Sequence, residues 1–328
     1  MNPSCRRAIL TAVASSLVTG LAVFAQTPAA FPTKPVTIMV PVPAGGLQDG
    51  LARAFALQLS KLWKQSVVVD NRVGASGAIA IAALARAAPD GYTLSTTDNA
   101  SLVTTQILKP SAQYEIFKDL VPVSGIAEGS NVLLVHAASP IQNLGDLIAL
   151  AKAKPGTVNY GSFGIGTSNH LDTENLAKVA GVKFVHIPYK GGTEVLQALM
   201  TNDQITFAIT GASSALPYVK QGSLRAIANG GSTRSAVFAA VPTFAELGLT
   251  GFESTAWFGL YAPAKTPKII IDKIAGDIDT ILKDKDFVDR SIVNVGLKPM
   301  ELGPKQSLDL LKEDYTRYTE KVKLIGGN

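Results

Sequence analysis

A pair of glycines, Gly45 and Gly46, joins an apolar strand to an amphipathic helix. Two adjacent glycines let a backbone approach a ligand closely, and the helix that follows offers unpaired N–H groups and a positive dipole end. The turn is therefore predicted to bind an anion such as a carboxylate, unless it only makes a tight turn that Asp49 caps. Apolar residues then recur every three or four positions, as the buried face of a helix requires. These predicted core positions are Leu51, Phe55, Leu59 and Leu62.

Short apolar strands alternate with helices along most of the chain. The first series runs from Phe31 to about Glu128, and a second runs from Asn131 to Asn229. This rhythm predicts an α/β fold of two domains, each a mainly parallel sheet flanked by helices, in which ligands bind at the carboxyl ends of the strands. The predicted boundaries are 26–130 with 252–328 for domain 1, and 131–251 for domain 2. The segments near Glu128–Val135 and Glu253–Tyr261 are predicted to be the hinge strands between them.

Residues 1–25 have the pattern of a secretory signal peptide. Arg6 and Arg7 precede an apolar run that ends at Phe24, and small residues surround Ala25. Cleavage is predicted after Ala25. A retained membrane anchor is the alternative, but the segment at 26–33 lacks the positive flank that an anchor needs.

The balance of charge and the scarcity of cysteine exclude several classes of function. Removing Arg6 and Arg7 reduces the 30 Lys and Arg residues to 28, against 25 Asp and Glu, for a net charge of +3. No basic run is dense enough to predict nucleic-acid binding. The single cysteine, Cys5, precedes the apolar run, and the three histidines lack metal-ligand spacing. No metal, cofactor or disulfide is therefore predicted.

A second glycine-rich turn, Gly161–Gly166, also lies between a strand and a helix. Ser162 and Thr167 add hydroxyl donors to it. Two such turns, one in each domain, are predicted to grip one ligand from both sides of a cleft, unless their likeness is due to chance. The glycine spacing of the second turn, GSFGIG, is not that of the dinucleotide-binding fingerprint. The sequence also contains neither a phosphate-binding loop motif nor a GxSxG motif. His170 is either a pocket or a packing residue, whereas His136 and His186 are predicted to pack.

The chain resembles the Bug family, the periplasmic substrate-binding receptors of tripartite tricarboxylate transporters, across essentially the whole mature length. The segments that carry the resemblance are PVPAGGLQDGLAR, VVVDNRVGASGAIA, AAPDGYTL, GSFGIGTSNHL, PYKGG and VPTFAELGLTGFE. It implies a type II periplasmic binding protein of the Venus-flytrap kind, without enzyme activity. It also implies a periplasmic monomer that captures a small organic carboxylate and delivers it to membrane permease subunits. A ligand sensor acting on a signalling partner and, less favoured, an exported α/β enzyme remain the alternatives.

The family's functional positions carry over to both glycine turns. The implied ligand-binding residues are Gly45, Gly46 and Asp49 in the first loop, with Ser162, Gly164, Gly166, Thr167 and His170 in the second. Val42, Gln48, Phe163 and Tyr189 complete the predicted set. Val42 stands where the family commonly has an aromatic residue, and Phe163 is bulkier than usual. Val42 leaves space for a flat ligand, and the Phe163 ring can contact it. An aromatic carboxylate is therefore predicted to bind more tightly than citrate or an acidic amino acid.

Overall fold

The computed structural model describes residues 31–108, 113–202 and 204–326. The signal peptide predicted at 1–25, with its cleavage after Ala25, lies outside these residues. Within them, no helix is both long and apolar enough to span a bilayer.

Ten strands in the described residues join in one hydrogen-bonded sheet system. They are β1 (Val36–Val40), β2 (Val67–Asn71), β3 (Thr93–Asp98), β4 (Leu120–His136), β5 (Asn159–Ser162), β6 (Val185–Pro188), β7 (Phe207–Gly211), β8 (Leu224–Asn229), β9 (Thr255–Pro263) and β10 (Leu297–Leu302).

Eleven α-helices occur in the same residues. They are α1 (Leu47–Trp63), α2 (Ala78–Ala85), α3 (Asn99–Leu108), α4 (Ile116–Asp119), α5 (Leu144–Ala153), α6 (Ser168–Ala180), α7 (Gly192–Thr201), α8 (Ala212–Lys220), α9 (Lys268–Leu282), α10 (Lys285–Val288) and α11 (Pro304–Lys323).

Helix α1 has, with one exception, the predicted buried face. Leu51, Phe55 and Leu59 are buried, but Leu62 is 47% exposed. The 3.6-residue period carries the buried face from Leu59 to Trp63 instead, because position 63 completes the turn more closely than position 62. The Trp63 indole donates to Asp277 on α9 at 2.6 Å, which ties the end of α1 to that helix.

The sheet system has two halves, and β4 runs through both. In the first half β2, β1 and β3 are parallel, and β9 pairs antiparallel with β3 and with β4 up to Ser130. In the second half β6, β5 and β7 are parallel, while β4 from Asn131 onward pairs antiparallel with β7 and β8. The two-domain α/β fold is thus confirmed, and its antiparallel pairs come from β4, β9 and β10.

Two elements differ from the sequence prediction. The second series was predicted to start at Asn131, but strand β4 begins at Leu120 and is a single long strand of 17 residues. Helix α3 was not predicted, because polar residues interrupt the apolar ones in its sequence, NASLVTTQIL.

Helices cover both faces of each half of the sheet. Neighbouring strand residues alternate between two cores, so Leu260 packs with α1 and α9 while Tyr261 packs with α2, α3 and α11. In the second half Phe207 packs with α5 and α6, and Ala208 packs with α7 and α8. Burial of each large apolar side chain contributes about 1.5–3 kcal/mol.

Three backbone segments cross where the two halves meet. The N–H of Gly230 donates to Asn131 O at 2.7 Å, and the N–H of Ser254 donates to Gly230 O at 2.9 Å. The N–H of Asn131 donates to Ser254 O at 2.8 Å. This backbone crossing joins β4, the end of β8 and the start of β9 at one point.

Replacing Gly230 by alanine is expected to lower the free energy of unfolding by about 1–3 kcal/mol. A Cβ there would overlap the Ser254 carbonyl oxygen and lie 2.8 Å from Ser254 Cβ. The overlapping oxygen belongs to the backbone, which cannot move aside as a flexible side chain can. Urea unfolding measures the change. Gly276→Ala on α9 is the matched control, because a Cβ there meets nothing within 4 Å and should be neutral or stabilising. Equal stability of both variants would show that the crossing has room to relax.

Candidate functional site

The first glycine loop connects β1 to α1 and leaves the start of that helix without a side-chain cap. Gly46 occupies the N-cap position in an extended conformation, with φ of −79°. Gly45 has φ of +90°, which is in the left-handed region that favours glycine. Both glycines are exposed. The first N–H groups of α1 are therefore open to an acceptor from outside the loop.

Asp49 holds this loop together from inside. Its carboxylate accepts from the Gly45 N–H at 2.9 Å, from Asn71 Nδ2 at 2.8 Å and from Arg53 Nε at 2.9 Å. The hydrogen bond from Arg53 is the largest of the effects that lower the pKa of Asp49 to about 2. Asp49 is 2% exposed, so its carboxylate is occupied in shaping the loop.

Gln48 and Val42 also contact the protein around them. Gln48 is buried, and its amide donates to the carbonyl oxygen of Thr96 on β3 at 2.8 Å. Val42 is half-buried against the core of the first half, and its carbonyl oxygen accepts from Asn71 Nδ2 at 3.0 Å.

The second glycine loop connects β5 to α6, and hydroxyl groups fix its shape. Ser162 is fully buried, and its Oγ accepts from the Gly164 N–H at 3.1 Å. The same Oγ lies 2.6 Å from His186 Nε2. Thr167 Oγ1 donates to the Gly164 carbonyl oxygen at 2.8 Å, so it does not cap α6 although it occupies the N-cap position.

His170 completes the second loop in its neutral form. Its Nδ1 accepts from the Gly166 N–H at 3.0 Å, and its ring stacks on that of His186 at 3.9 Å between centroids. Burial lowers the pKa of His170, and burial together with the neighbouring His170 lowers the pKa of His186 to about 4. His186, predicted only to pack, thus also supports the loop through Ser162.

The Ser162–His186 contact has the composition of a nucleophile and its base. Ser162 has no exposed surface, however, and its Oγ is engaged with Gly164. The contact therefore supports the loop rather than presenting a reactive hydroxyl to a substrate. Among the residues that the structure describes, no group of three acidic, histidine or cysteine side chains is placed to hold a metal ion.

A cavity of about 320 Å³ separates the second loop from α3. One wall comes from the domain that contains β1–β3 and the other from the domain that contains β5–β7. Of the described residues that line it, none carries a charge. They are Ser101, Thr104, Thr105 and Leu108 on α3, with Phe163, Ile165, Gly166, Thr167, Ser168 and Asn169 opposite.

The predicted site residues separate into three groups around this cavity. Phe163, Gly166 and Thr167 line it. Ser162, Gly164 and His170 lie in the same loop and set its shape. The others do not line it: Val42, Gly45, Gly46, Gln48 and Asp49 lie in or beside the first loop, and Tyr189 lies beyond the second.

Phe163 and Tyr189 both pack onto the core of the second half. The Phe163 ring lies against Gly192, where a Cβ would be 3.2 Å from Cζ. The Tyr189 N–H donates to Ser162 O at 2.9 Å, while its hydroxyl donates to Gln204 Oε1 at 3.3 Å. Phe163 therefore has one side on its own domain and another on the cavity.

The hydroxyl groups of α3 were missed from the sequence. Ser101, Thr104 and Thr105 follow β3 in the run TTDNASLVTT and lie in the first two turns of α3. Spacing of three and four residues puts such hydroxyls on one helix face. That spacing after a strand was the signal available, although no glycine marked it.

Comparison with known proteins gives consistent results. The model of the tripartite tricarboxylate transporter family receptor matches residues 51–326. Protein BugT of Bordetella pertussis is 35% identical over 297 residues, which cover 90% of each chain. A Cupriavidus necator protein of the UPF0065 group, encoded in the gbd 5′ region, is 36% identical over 298 residues, covering 90% of this chain and 89% of that one.

Solved structures of similar proteins have the same architecture. An R. palustris protein solved with adipate is 30% identical, with a TM-score of 0.82 over 90% of this chain and 98% of that one. MatC from Rhodopseudomonas palustris with bound malate is 28% identical, with a TM-score of 0.77 over 89% and 100%. The periplasmic binding protein BugD is 26% identical, with a TM-score of 0.78 over 91% and 99%. The chain therefore belongs to the receptor family of the tripartite tricarboxylate transporters and has the fold of a two-domain periplasmic binding protein.

Proposed function

We propose that this protein captures a small organic carboxylate between its two domains and delivers it to the membrane subunits of a tripartite transporter. The observation that carries the proposal is the uncapped start of α6, which opens into a cavity walled by hydroxyl groups from both domains. The mature chain would work in the periplasm as a monomer after loss of residues 1–25. Its domains would comprise 26–130 with 252–328, and 131–251.

The start of α6 is suited to a carboxylate. The N–H groups of the first turn belong to Ser168, Asn169 and His170, and no side chain caps them. They carry the positive end of the helix dipole, whose effect on a nearby anion is typically about 0.3–1 kcal/mol and up to about 2 kcal/mol when partly buried. None of the described residues that line the cavity is a lysine or arginine, so among them backbone N–H groups and hydroxyls would supply the donors.

The first loop would complete the site when the domains close. Strands β1 and β3 are parallel neighbours, so the first loop and α3 begin at the same edge of the sheet. The start of α1, uncapped at Gly46, lies at that edge. A rotation about β4 and β9 would bring it toward a ligand held at α6, directly or through bridging water.

The relatives support a carboxylate as the ligand class. Of the similar structures, one was solved with adipate and another with bound malate, and both molecules are dicarboxylates. The cavity here also has an apolar part, formed by Leu108, Phe163 and Ile165. A ligand with a carboxylate at one end and a flat apolar body would fit both parts, so we propose an aromatic carboxylate.

A thermal-shift screen against aliphatic and aromatic mono- and dicarboxylates tests this function. An aromatic carboxylate is expected to raise the Tm more than citrate or an acidic amino acid at equal concentration. A ligand at about 100 times its Kd adds about 2.7 kcal/mol to the stability. If no carboxylate in the panel shifts the Tm, the proposed function is contradicted.

Phe163→Ala separates an aromatic from an aliphatic ligand in the same screen. A ring contact contributes about 0.5–1.5 kcal/mol beyond area burial, so the variant should weaken the aromatic ligand about 2- to 12-fold more than an aliphatic one. Phe163→Leu is the matched variant, since it keeps an apolar side chain without the ring. Equal weakening of all ligands would mean that Phe163 serves only to pack against Gly192.

Gly46→Val is expected to weaken carboxylate binding by about tenfold or more while leaving the fold intact. The backbone there suits any residue, and a Cβ would meet only Pro43 O, at 3.8 Å. The valine would obstruct access to the first N–H groups of α1. Calorimetric titration measures the affinity, with circular dichroism to check the fold and Gly276→Val as the control for a surface valine.

Gly164 is a poorer test position because its φ of +120° would strain any other residue. Unchanged affinity of Gly46→Val would remove the first loop from the site.

The neutral histidines His170 and His186, which pack beside the second loop, predict that the protein is less stable in acid. The pKa of His186 falls from 6.5 to about 4 in the folded chain, and that of His170 is also lowered. Stability should be full above pH 6.5 and fall as the pH drops toward 4, because the unfolded chain binds protons that the folded chain excludes. Urea unfolding over this range should show a shallower pH dependence for His186→Gln than for the wild type. Parallel curves would show that His186 does not contribute to the dependence.

A further inference from the structure

Helix α6 belongs to the second half of the sheet but packs partly against the first. Leu171, fully buried, lies in the core that α2, α3 and α11 form. Leu176 lies in the core of the second half. Because Ser168 and Asn169 at the start of α6 line the cavity, a shift of this helix moves one cavity wall.

An ion pair next to Leu171 joins α6 to the C-terminal helix α11. Asp172 has no exposed surface, and its Oδ1 lies 2.5 Å from Lys321 Nζ. Lys321 is itself buried, with its ammonium 5.2 Å from the centre of the Tyr318 ring. The second oxygen of Asp172 accepts a hydrogen bond from the Ser254 hydroxyl. The two charges thus meet inside the protein, between elements of different domains.

The same network reaches the backbone crossing. Asn131 Nδ2 donates a hydrogen bond to Ser254 Oγ at 2.8 Å. Because Ser254 Oγ accepts this bond, its own hydroxyl hydrogen can be donated to Asp172. Asn131 and Ser254 are two of the three residues whose backbones cross between the halves of the sheet. The ion pair is therefore bonded directly to the segments about which the domains would turn.

Helix α11 is bonded to the other cavity wall as well. Asp314, two turns before Lys321, is buried and accepts from Asn99 Nδ2 at 2.5 Å and from Trp257 Nε1 at 2.7 Å. Asn99 is the first residue of α3, whose hydroxyls line the cavity. One rigid helix thus holds α3 through Asp314 and α6 through Lys321.

A buried ion pair is a costly way to join two helices if stability is the only gain. Desolvation of two charges offsets most of their attraction, and well-packed apolar residues are often as good. An ion pair differs from apolar contacts such as those of Leu171 in permitting only a narrow range of distances and angles. It therefore suits a place where the relative position of two helices matters.

We propose that Lys321 is a positioning residue for the ligand site. Through Asp172 it fixes α6 relative to α11, and because α11 also holds α3, the pair sets the width of the cavity between α3 and the second loop. What the cavity binds rests on the proposed function, whereas the spacing of its walls does not.

A double variant, Asp172→Asn with Lys321→Met, removes the pair without leaving a buried charge unpaired. The asparagine can still accept from Ser254, and methionine has a similar length and an apolar chain. Lys323→Met is the matched control, since Lys323 lies on the same helix but pairs with Glu320 at the surface. A Tm close to that of the wild type would show that the double variant folds.

Spin labels measure the domain spacing without a ligand. Labels attached through Lys61→Cys on α1 and Lys220→Cys on α8, both exposed, report from the two domains, with Cys5→Ser removing the only native cysteine. Pulsed electron spectroscopy is expected to give a broader or displaced distance distribution for the double variant than for the wild type and the Lys323→Met control. Identical distributions would overturn the proposal.

Calorimetry then tests the link to the site. The double variant is expected to bind the best carboxylate from the screen about tenfold or more weakly, whereas Lys323→Met should bind it as the wild type does. Wild-type affinity in the double variant would overturn the positioning role. If the wild type itself binds no carboxylate, the proposed function fails, and the distance distributions alone still decide whether the pair sets the spacing.

Discussion

The structure depends on one strand that serves both halves of the sheet. β4 pairs with β9 as far as Ser130 and with β7 and β8 from Asn131 onward. A single chain segment therefore orients both parallel sets of strands, and their carboxyl ends lead into the loops and helices at one gap. The second loop and α3 face each other there because of this pairing. A continuous β4 therefore contributes to the fixed relation between the two walls of the cavity.

The side chains of both glycine loops are mostly engaged within the loops. Asp49 binds Gly45 and Arg53, and Thr167 binds Gly164. In the proposed function, what remains for a ligand is the backbone, at helix starts that no side chain caps. Backbone N–H groups recognise an anion without selecting the rest of the molecule. Selection among anions would then fall to the shape of the cavity, where Leu108, Phe163 and Ile165 are the bulky members.

Local features of the fold were predictable because short-range patterns determine them. The bounds of α1 and α5, and the end of α6 at Gly181 in a left-handed conformation, follow from apolar spacing and a C-terminal glycine. What the sequence did not reveal depends on partners distant in the chain. Asp49 was predicted as a ligand-binding residue, but its carboxylate accepts hydrogen bonds from within the protein, one of them from Asn71, 22 positions away. The hydroxyls of α3 become cavity residues only because the second loop, some sixty positions later, lies opposite them. The binding role of the predicted residues stays a prediction, although three of them line the cavity.

The order of strands in the sheet also bears on how the chain folds. The first half of the sheet needs β9 and β10, so β1–β3 must wait for segments that follow the whole second half. The second half uses β4 to β8, a contiguous stretch whose contacts are closer in sequence. Loop-closure entropy favours such contiguous contacts first. The middle of the chain is therefore expected to become ordered before its beginning, and the N-terminal strands will depend longest on chaperones that keep unfolded chains from aggregating.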